Sequence, residues 1–327
     1  MRIKLSNKLS LLLIALGFSF VAMAQQEPQF SQYMFNRMSY NPGYAGSSGS
    51  ICATAMYRQQ WIGFKLDAPS PSAKAGSTPT DILFSFDMPV RFLHGGLGLT
   101  VVSDKIGYHD NIELSLDYAF RMFWGEGNLS AGAELNVLSS SLDKGSLQGN
   151  DPNDPVLSQL GESATLIDGS VGIYYQVPGK YYLGLSVKNL LAAHSKEIMF
   201  TNARTVYAMG GYEYVPSSAP SIRIKPSALL KTANFSIFQA DLSCLVDYRN
   251  AFWGGMGYRV QDAVYFLAGV HWKKLRIGLS YDITTSRLGT FKPGRSMGTL
   301  ELYLKFCFKV VVPRKPNTVY GNTIYLD

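Results

Sequence analysis

Residues 112–121 read Ile-Glu-Leu-Ser-Leu-Asp-Tyr-Ala-Phe-Arg, so that apolar and polar side chains alternate along the whole stretch. Because successive side chains of a β-strand point to opposite faces, this stretch predicts a strand with one apolar face and one face carrying Glu113, Asp117 and Arg121. The same alternation returns at residues 239–249 and 275–282. Helical periodicity is absent throughout, and the chain is therefore predicted to be all-β.

The composition indicates either that much of the surface does not face water or that the chain is unusually buried. Charged residues make up 16% of the chain and aromatic residues 13%, whereas a soluble globular domain usually carries about 25% charged residues. In a soluble β-sandwich the apolar faces would form the core. In an outer-membrane barrel they face lipid, and the charged faces line the lumen. Three features favour the barrel: strands of about 9–12 residues, aromatic residues near the strand ends, and the absence of helical periodicity.

The alternating segments predict a transmembrane antiparallel β-barrel of about 14 strands between residues 50 and 308, an even number that suits a bacterial barrel. The predicted strands are residues 50–59, 80–87, 96–104, 111–122, 127–139, 167–176, 180–188, 203–214, 221–231, 237–249, 251–259, 262–272, 275–283 and 297–308. Their lengths match the roughly 9–11 residues that a tilted spanning strand needs.

The connections between these strands support the same fold. Outer-membrane barrels have short periplasmic turns and longer outer loops. With both termini in the periplasm, the connections expected outside include residues 60–79, 140–166, 189–202 and 284–296, which are the four longest. A sandwich has no reason to sort its connections in this way.

The first 24 residues predict a cleaved signal peptide. Arg2, Lys4 and Lys8 precede an apolar run, and small residues at positions 22 and 24 mark a cleavage site before Gln25. No later run of 18 apolar residues predicts a spanning helix. We therefore expect export to the cell outer membrane. Because three basic residues belong to the signal peptide, the positive charge of the chain gives little support to nucleic-acid binding.

Cys52, Cys244 and Cys307 are the only cysteines. In an exported protein an odd number permits at most one disulfide and one free thiol. Each cysteine falls inside a predicted strand, and we interpret all three as small buried apolar residues.

The sequence contains no local pattern for catalysis, cofactor binding or metal binding. HExxH, CxxC, GxSxG and phosphate-loop patterns are absent, and the four histidines are isolated. The predicted lumen faces carry the acidic residues Glu113, Asp117, Glu134, Asp241, Asp247, Asp282 and Glu301 and the basic residues Arg121, Arg223, Lys225, Arg249, Arg259 and Arg276. We interpret these as a charge network that fills the barrel. A carboxylate pair for hydrolysis is the alternative.

Residues 25–49 lack alternation and combine polar residues with aromatics, which predicts a periplasmic or plug-like extension. Residues 309–327 are predicted to form a periplasmic tail. The candidate partner-binding residues are Phe30, Tyr33, Phe35, Tyr40, Asn41, Pro42, Tyr44, Trp61 and Phe64, because buried aromatics dominate interface energetics. Packing within a plug or against the membrane interface is their alternative role.

Several stretches resemble one family. The most specific are QFSQYMFN at residues 29–36 and NPGYAG at residues 41–46. The others are RQQWIG at 58–63, GLGLTVVSDKIG at 96–107, DPNDP at 151–155, YYLGLSVKNL at 181–190 and LRIGLSYD at 275–282. Together they resemble the PorP/SprF family of type IX secretion membrane proteins from Bacteroidetes.

The resemblance implies an integral outer-membrane barrel without enzymatic activity that serves type IX secretion and, in relatives, gliding motility. It implies that the partners are periplasmic secretion components or a large secreted adhesin, and that no cofactor or small-molecule substrate is required. A plugged outer-membrane pore for small or hydrophobic solutes remains the alternative.

Overall fold

The computed structural model describes residues 28–63, 78–143, 161–195, 198, 200–286 and 296–309. The predicted signal peptide, Phe64 and the predicted tail beyond Lys309 lie outside the described residues.

Fourteen antiparallel strands form a closed barrel in which the first strand pairs with the last. The barrel strands are β1 (Ser50–Gln59), β2 (Thr80–Val90), β3 (Gly95–Ile106), β4 (His109–Trp124), β5 (Gly127–Leu142), β6 (Ser163–Val177), β7 (Tyr181–Lys188), β10 (Thr205–Tyr212), β11 (Ile222–Ala233), β12 (Ile237–Tyr248), β13 (Phe252–Arg259), β14 (Ala263–Trp272), β15 (Leu275–Thr284) and β16 (Thr299–Lys309). Between β7 and β10, the short strands β8 (His194–Ser195) and β9 (Phe200–Thr201) form a separate pair.

The predicted all-β barrel is confirmed, and each predicted strand corresponds to one barrel strand. The largest difference in length occurs at β6, which has 15 residues where 10 were predicted. β4 and β5 have 16 residues each and extend beyond the predicted bounds at residues 122 and 139. Their alternating register continues up to the turn at residues 125–126. Within the described ranges, no helix has the length and apolar character needed to cross a membrane.

The alternation along each strand separates a lipid-facing surface from a polar lumen. On β4, the side chains of Leu116 and Tyr118 are exposed on the outside, whereas Ser115 and Asp117 are buried inside. An outward apolar face with an inward polar face is the arrangement of a transmembrane barrel. Large apolar side chains are exposed in the same way on most other strands.

The connections are sorted between the two ends of the barrel as predicted. Where β1 begins and β16 ends, the connections are residues 91–94, 125–126, 178–180, 213–221, 249–251 and 273–274. The opposite end carries the long connections 60–79, 143–162, 189–204 and 285–298. Because short turns face the periplasm in such barrels, we call the first end the periplasmic rim and the second the outer end.

Residues 28–49 lie inside the lumen, and we call this segment the plug. It contains two short 3₁₀ turns, Tyr33–Phe35 and Pro42–Tyr44. Ser31 contacts Asp282 and Glu301 near the outer ends of β15 and β16. The plug then descends to the periplasmic rim, where Gly46 packs against Met88, and it continues into β1. Residues 28–49 therefore occupy the lumen of the barrel that follows them.

The interpretation of the three cysteines as small buried apolar residues was wrong, because two of them form a disulfide and the third is exposed. Cys52 and Cys307 form a disulfide and are register partners across the β1–β16 pair. They are 255 positions apart in sequence and become neighbours only when the barrel closes, so sequence spacing could not reveal the pairing. Cys244 is a free cysteine exposed on the lipid-facing side of β12.

Candidate functional site

The outer part of the plug is held by two buried carboxylates. Glu301 accepts hydrogen bonds from the backbone N–H groups of Ser31 and Gln32 at 2.8 and 2.9 Å. Asp282 accepts a hydrogen bond from the Ser31 hydroxyl at 2.6 Å. Hydrogen bonds to an ionised acceptor are about twice as strong as those between neutral groups. The plug is thus fastened to the two last strands of the barrel.

Two arginines neutralise these carboxylates and the neighbouring Asp241. Arg58 Nη1 lies 3.1 Å from Glu301 Oε2 and 3.3 Å from Asp282 Oδ2. Arg259 Nε lies 2.9 Å from Asp241 Oδ1, and the Gln29 side chain donates to Asp241. Buried charges persist only where they are paired and hydrogen-bonded. The plug supplies part of that hydrogen bonding, so the lumen network depends on it.

Aromatic contacts fix the middle of the plug. The Phe35 ring lies 4.7 Å from the Trp253 ring and 4.8 Å from the Tyr303 ring, measured between centroids. The Tyr33 hydroxyl lies 3.1 Å from the hydroxyls of Ser227 and Ser243. Burial raises the pKa of Tyr33 above its usual range, so this side chain remains a neutral hydrogen-bonding group.

Arg37 links the plug to the tyrosines of the barrel wall. Its Nη1 donates to the Tyr174 hydroxyl at 2.9 Å, and its guanidinium lies 3.8 Å from the centroid of the Tyr182 ring. Tyr44 packs edge-to-face against Tyr174 with 5.4 Å between centroids. A desolvated cation over an aromatic ring contributes about 2 kcal/mol. Arg37 therefore serves as a packing residue as much as a charge.

The periplasmic part of the plug is held mainly through its backbone. Asn41 accepts from Gly43 N at 2.8 Å and donates to Ile173 O at 2.9 Å. Arg121 donates to the carbonyl oxygens of Ala45 and Gly46 at 2.9 and 3.0 Å. A side chain at Gly132 would collide with the backbone of the plug at residues 42–43. Glycine there allows the plug to lie directly on β5.

Most of the candidate partner-binding residues lie against the barrel wall. The side chains of the plug residues in that set are buried or, for Phe35, partly buried. These residues are Phe30, Tyr33, Phe35, Tyr40, Asn41, Pro42 and Tyr44. Trp61 lies apart from them at the outer end and is partly exposed. Phe64 lies outside the described residues.

The residues that receive the plug were not singled out from the sequence. Arg121, Asp282 and Glu301 were expected in a general lumen network, but their bonds to the plug were not foreseen. Their inward position on alternating strands was the available signal. Arg58 begins the stretch RQQWIG, one of those that resemble the family, and no role was predicted for it from the sequence. Alternation indicates which face a charge occupies, and not what it binds.

A cavity of about 410 Å³ lies at the outer end, above the first described residues of the plug. Its lining includes Pro28, Gln29 and Trp61, together with charged residues of both signs. Those charged residues are Arg58, Asp81, Asp104, Glu113, Lys231, Arg259 and Asp262. Across the described ranges, no group of three His, Cys, Asp or Glu side chains is placed to hold a metal ion.

A closed barrel of 14 strands with an apolar outer surface and a polar lumen defines an outer-membrane β-barrel protein. The family model described as "Type IX secretion system membrane protein PorP/SprF" matches residues 22–306. The chain belongs to this family, which confirms the resemblance found in its sequence.

Several solved structures are similar to this chain at low sequence identity. The CymD monoaromatic hydrocarbon channel is 12% identical with a TM-score of 0.49, covering 85% of this chain and 93% of its own. The outer membrane protein Omp33 of Acinetobacter baumannii is 8% identical with a TM-score of 0.46, covering 79% and 99%. A Pseudomonas aeruginosa FadL homologue is 11% identical with a TM-score of 0.41, covering 86% and 95%. A search of curated proteins found no match.

Proposed function

We propose that this protein is a non-enzymatic anchor of the type IX secretion machinery in the outer membrane. It binds a periplasmic secretion component or a secreted surface adhesin and holds it at the membrane. The observation that carries this proposal is the plug, which occupies the lumen from the outer end to the periplasmic rim. With its lumen occupied, the barrel offers partners its two ends.

The strength of the plug contacts argues for a permanent seal. Withdrawing the plug would remove Ser31 and Gln32 from Glu301 and Gln29 from Asp241. Both carboxylates are fully buried. Leaving a buried charged group without its hydrogen bonds typically costs about 1–3 kcal/mol or more. A cargo would have to supply equivalent contacts in order to replace the plug.

The same contacts argue against catalysis in the lumen. Three buried carboxylates of the outer half, Asp241, Asp282 and Glu301, hold the plug and pair with arginines. A hydrolytic carboxylate pair needs room for substrate and water between its members. We infer that these groups have a structural role.

The burial of the plug aromatics changes how they would contribute to partner binding. We infer that the seven plug residues of the candidate set, Phe30 to Tyr44, support a partner surface indirectly by seating the plug. Trp61, partly exposed at the outer end, is the described member of the set placed for direct contact.

Affinity capture tests the anchor. A tagged protein would be purified from detergent-solubilised outer membrane of its native host, and the bound proteins would be identified by mass spectrometry. An unrelated tagged barrel from the same membrane serves as the control. We expect specific recovery of periplasmic type IX components or a large adhesin. Recovery of the barrel alone would contradict the proposal.

A transport pore is the second candidate, and the cavity beside Gln29 and Trp61 favours it. Its charged lining suits a small polar solute better than a hydrophobic one. The two candidates predict different electrical behaviour in planar bilayers. A pore conducts, or takes up solute, as the intact protein. An anchor is closed when intact and conducts only after deletion of residues 25–49.

A further inference from the structure

One wall of the cavity at the outer end is formed by three neighbouring residues whose side chains accept hydrogen bonds. Asp81, Asp104 and Asn111 all line this cavity. They are successive register partners on β2, β3 and β4: Asp81 lies opposite Asp104, and Asp104 lies opposite Asn111. Side chains that lie directly opposite each other share one face of the sheet, which here is the lumen face. We call these three residues the acceptor row.

The acceptor row places two carboxyl groups side by side. Like charges directly opposite each other on an antiparallel pair are destabilising. The side chains of Asp81 and Asp104 are in hydrogen-bonding contact, and two carboxyl groups form such a contact only when one of them carries a proton. A ligand that donates hydrogen bonds to both groups would take the place of that proton.

The neighbouring cation satisfies this pair only in part. Arg58 Nε lies 3.9 Å from Asp81 Oδ2 and makes no hydrogen bond, whereas Arg58 Nη1 pairs with Glu301 and Asp282. Asp104 accepts a hydrogen bond from the Asn111 amide at 3.3 Å, and it forms no ion pair with a described lysine or arginine. The acceptor row therefore has acceptor capacity that the described residues leave unused.

Asn111 provides the observation that points to a ligand. Only 8% of this residue is exposed. Its amide nitrogen donates to Asp104, and its Oδ1 atom accepts no hydrogen bond from the described residues. Leaving a buried acceptor without a donor is unfavourable. Two carboxyl groups and one amide oxygen match the three N–H donors of a primary ammonium group.

The opposite wall of the cavity favours a ligand that also carries a negative charge. Lys231 lines the cavity from β11, which is seven strands from β2 in both directions around the barrel. Its Nζ donates to Gln29 Oε1 at 3.3 Å. This lysine would repel a second cationic group and attract a carboxylate. A zwitterion therefore suits the two walls better than a polyamine does.

We propose that the outer-end cavity binds a small zwitterion such as an amino acid or a short peptide. The acceptor row holds its primary ammonium group, and its carboxylate faces Lys231. The cavity volume of about 410 Å³ lies within the range of roughly 300–1,000 Å³ that is usual for small-molecule sites. Pro28 and Gln29 of the plug form part of the lining, so the ligand is held above the plug. This inference goes beyond the anchor function and does not depend on it.

Isothermal titration calorimetry on the full-length purified protein in detergent tests the ligand chemistry. The probe is the dipeptide leucyl-alanine, compared with N-acetyl-leucyl-alanine and leucyl-alaninamide. We expect leucyl-alanine to bind. The acetylated dipeptide should bind about tenfold or more weakly, because it lacks the charged donor group. The amide should bind more weakly than leucyl-alanine, because it lacks the carboxylate that faces Lys231.

Two substitutions in the acceptor row test its location. Asp104→Asn removes one carboxylate and Asn111→Leu removes the amide oxygen, and each should weaken leucyl-alanine binding about tenfold or more. The matched control is Asp110→Asn, because Asp110 lies between them on β4, is exposed and pairs with the exposed Lys105 at 3.3 Å. It should bind the dipeptide like the wild type. Heat-modified mobility on gels checks that each variant folds.

Several outcomes would overturn the inference. These are no binding by the wild type, equal affinity for the free and acetylated dipeptides, or the same affinity in Asp104→Asn, Asn111→Leu and Asp110→Asn. Calcium chloride tests a metal ion as the occupant. If calcium raises the melting temperature of the wild type but not of Asp104→Asn, and the dipeptide does not bind, the acceptor row is a cation site and the inference fails. The anchor function is tested separately by host capture.

Discussion

Arg58 and Glu301 are register partners across the junction of β1 and β16, and their side chains pair at 3.1 Å inside the lumen. The same glutamate accepts the backbone N–H groups of Ser31 and Gln32. One buried carboxylate therefore joins the first strand, the last strand and the plug. Any change at Glu301 acts on barrel closure and plug seating together.

The variant Glu301→Gln should destabilise the protein by about 3 kcal/mol, because it removes one partner of a buried ion pair and weakens two charge-assisted hydrogen bonds. Urea unfolding in detergent measures the change. Glu126→Gln is the control, since Glu126 is exposed and paired with the exposed Lys180, and its unfolding midpoint should match the wild type. Equal midpoints for the two variants would contradict the role of Glu301.

The variant Gly132→Ala should displace the plug while the barrel still folds. A Cβ atom at this position would collide with Pro42 and Gly43. The displaced plug should become sensitive to protease, and the barrel should conduct in planar bilayers. Gly169→Ala is the matched control, because Gly169 lies on the lipid-facing side of β6 with only ordinary contacts. A plug as resistant in Gly132→Ala as in Gly169→Ala would disprove this packing.

The disulfide between Cys52 and Cys307 should stabilise the closed barrel by about 2–4 kcal/mol, as is typical for a bridge that closes a long loop. The double variant C52S/C307S should lose its compact gel mobility at a lower temperature than the wild type. Reductant should have the same effect on the wild type. Cys244→Ser should change nothing, because Cys244 is free and exposed.

The buried Tyr44 side chain should make the folded protein less stable at alkaline pH. Burial, together with the nearby Asp87 carboxylate, raises the pKa of Tyr44 from 10.0 to about 12. The folded protein therefore retains a proton that the unfolded chain releases, so stability holds below pH 10 and falls as the pH rises towards 12. Unfolding midpoints across this interval should fall less steeply in Tyr44→Phe. Identical slopes would show that Tyr44 does not contribute.

The barrel could be predicted because the sequence of each strand by itself shows which side chains face lipid and which face the lumen. Leu116 and Asp117 are adjacent in sequence and face lipid and lumen respectively, and this alternation is visible without any partner strand. Arg249 shows that alternation does not fix where a strand ends. It was placed on a lumen face, but β12 ends at Tyr248 and Arg249 lies in the following turn.

The plug contacts could not be predicted because they depend on distant residues. Ser31 and Glu301 are separated by 270 positions, and residues 28–49 have no periodicity that selects a neighbour. An aromatic such as Tyr33 looks the same in sequence whether it covers a partner or packs in a lumen. The predicted signal-peptide cleavage, the tail and the identity of the partner remain predictions.

The bond between Ser31 and Glu301 can form only after the last strand has been made. Ser31 precedes every strand and Glu301 lies on the last one, so the bond requires nearly the whole chain. A polypeptide that ends before β16 lacks both the final wall segment and the acceptor for its amino-terminal portion. The plug can therefore be fixed in the lumen only when the last strand is present to close the barrel. A truncated product cannot become a sealed barrel.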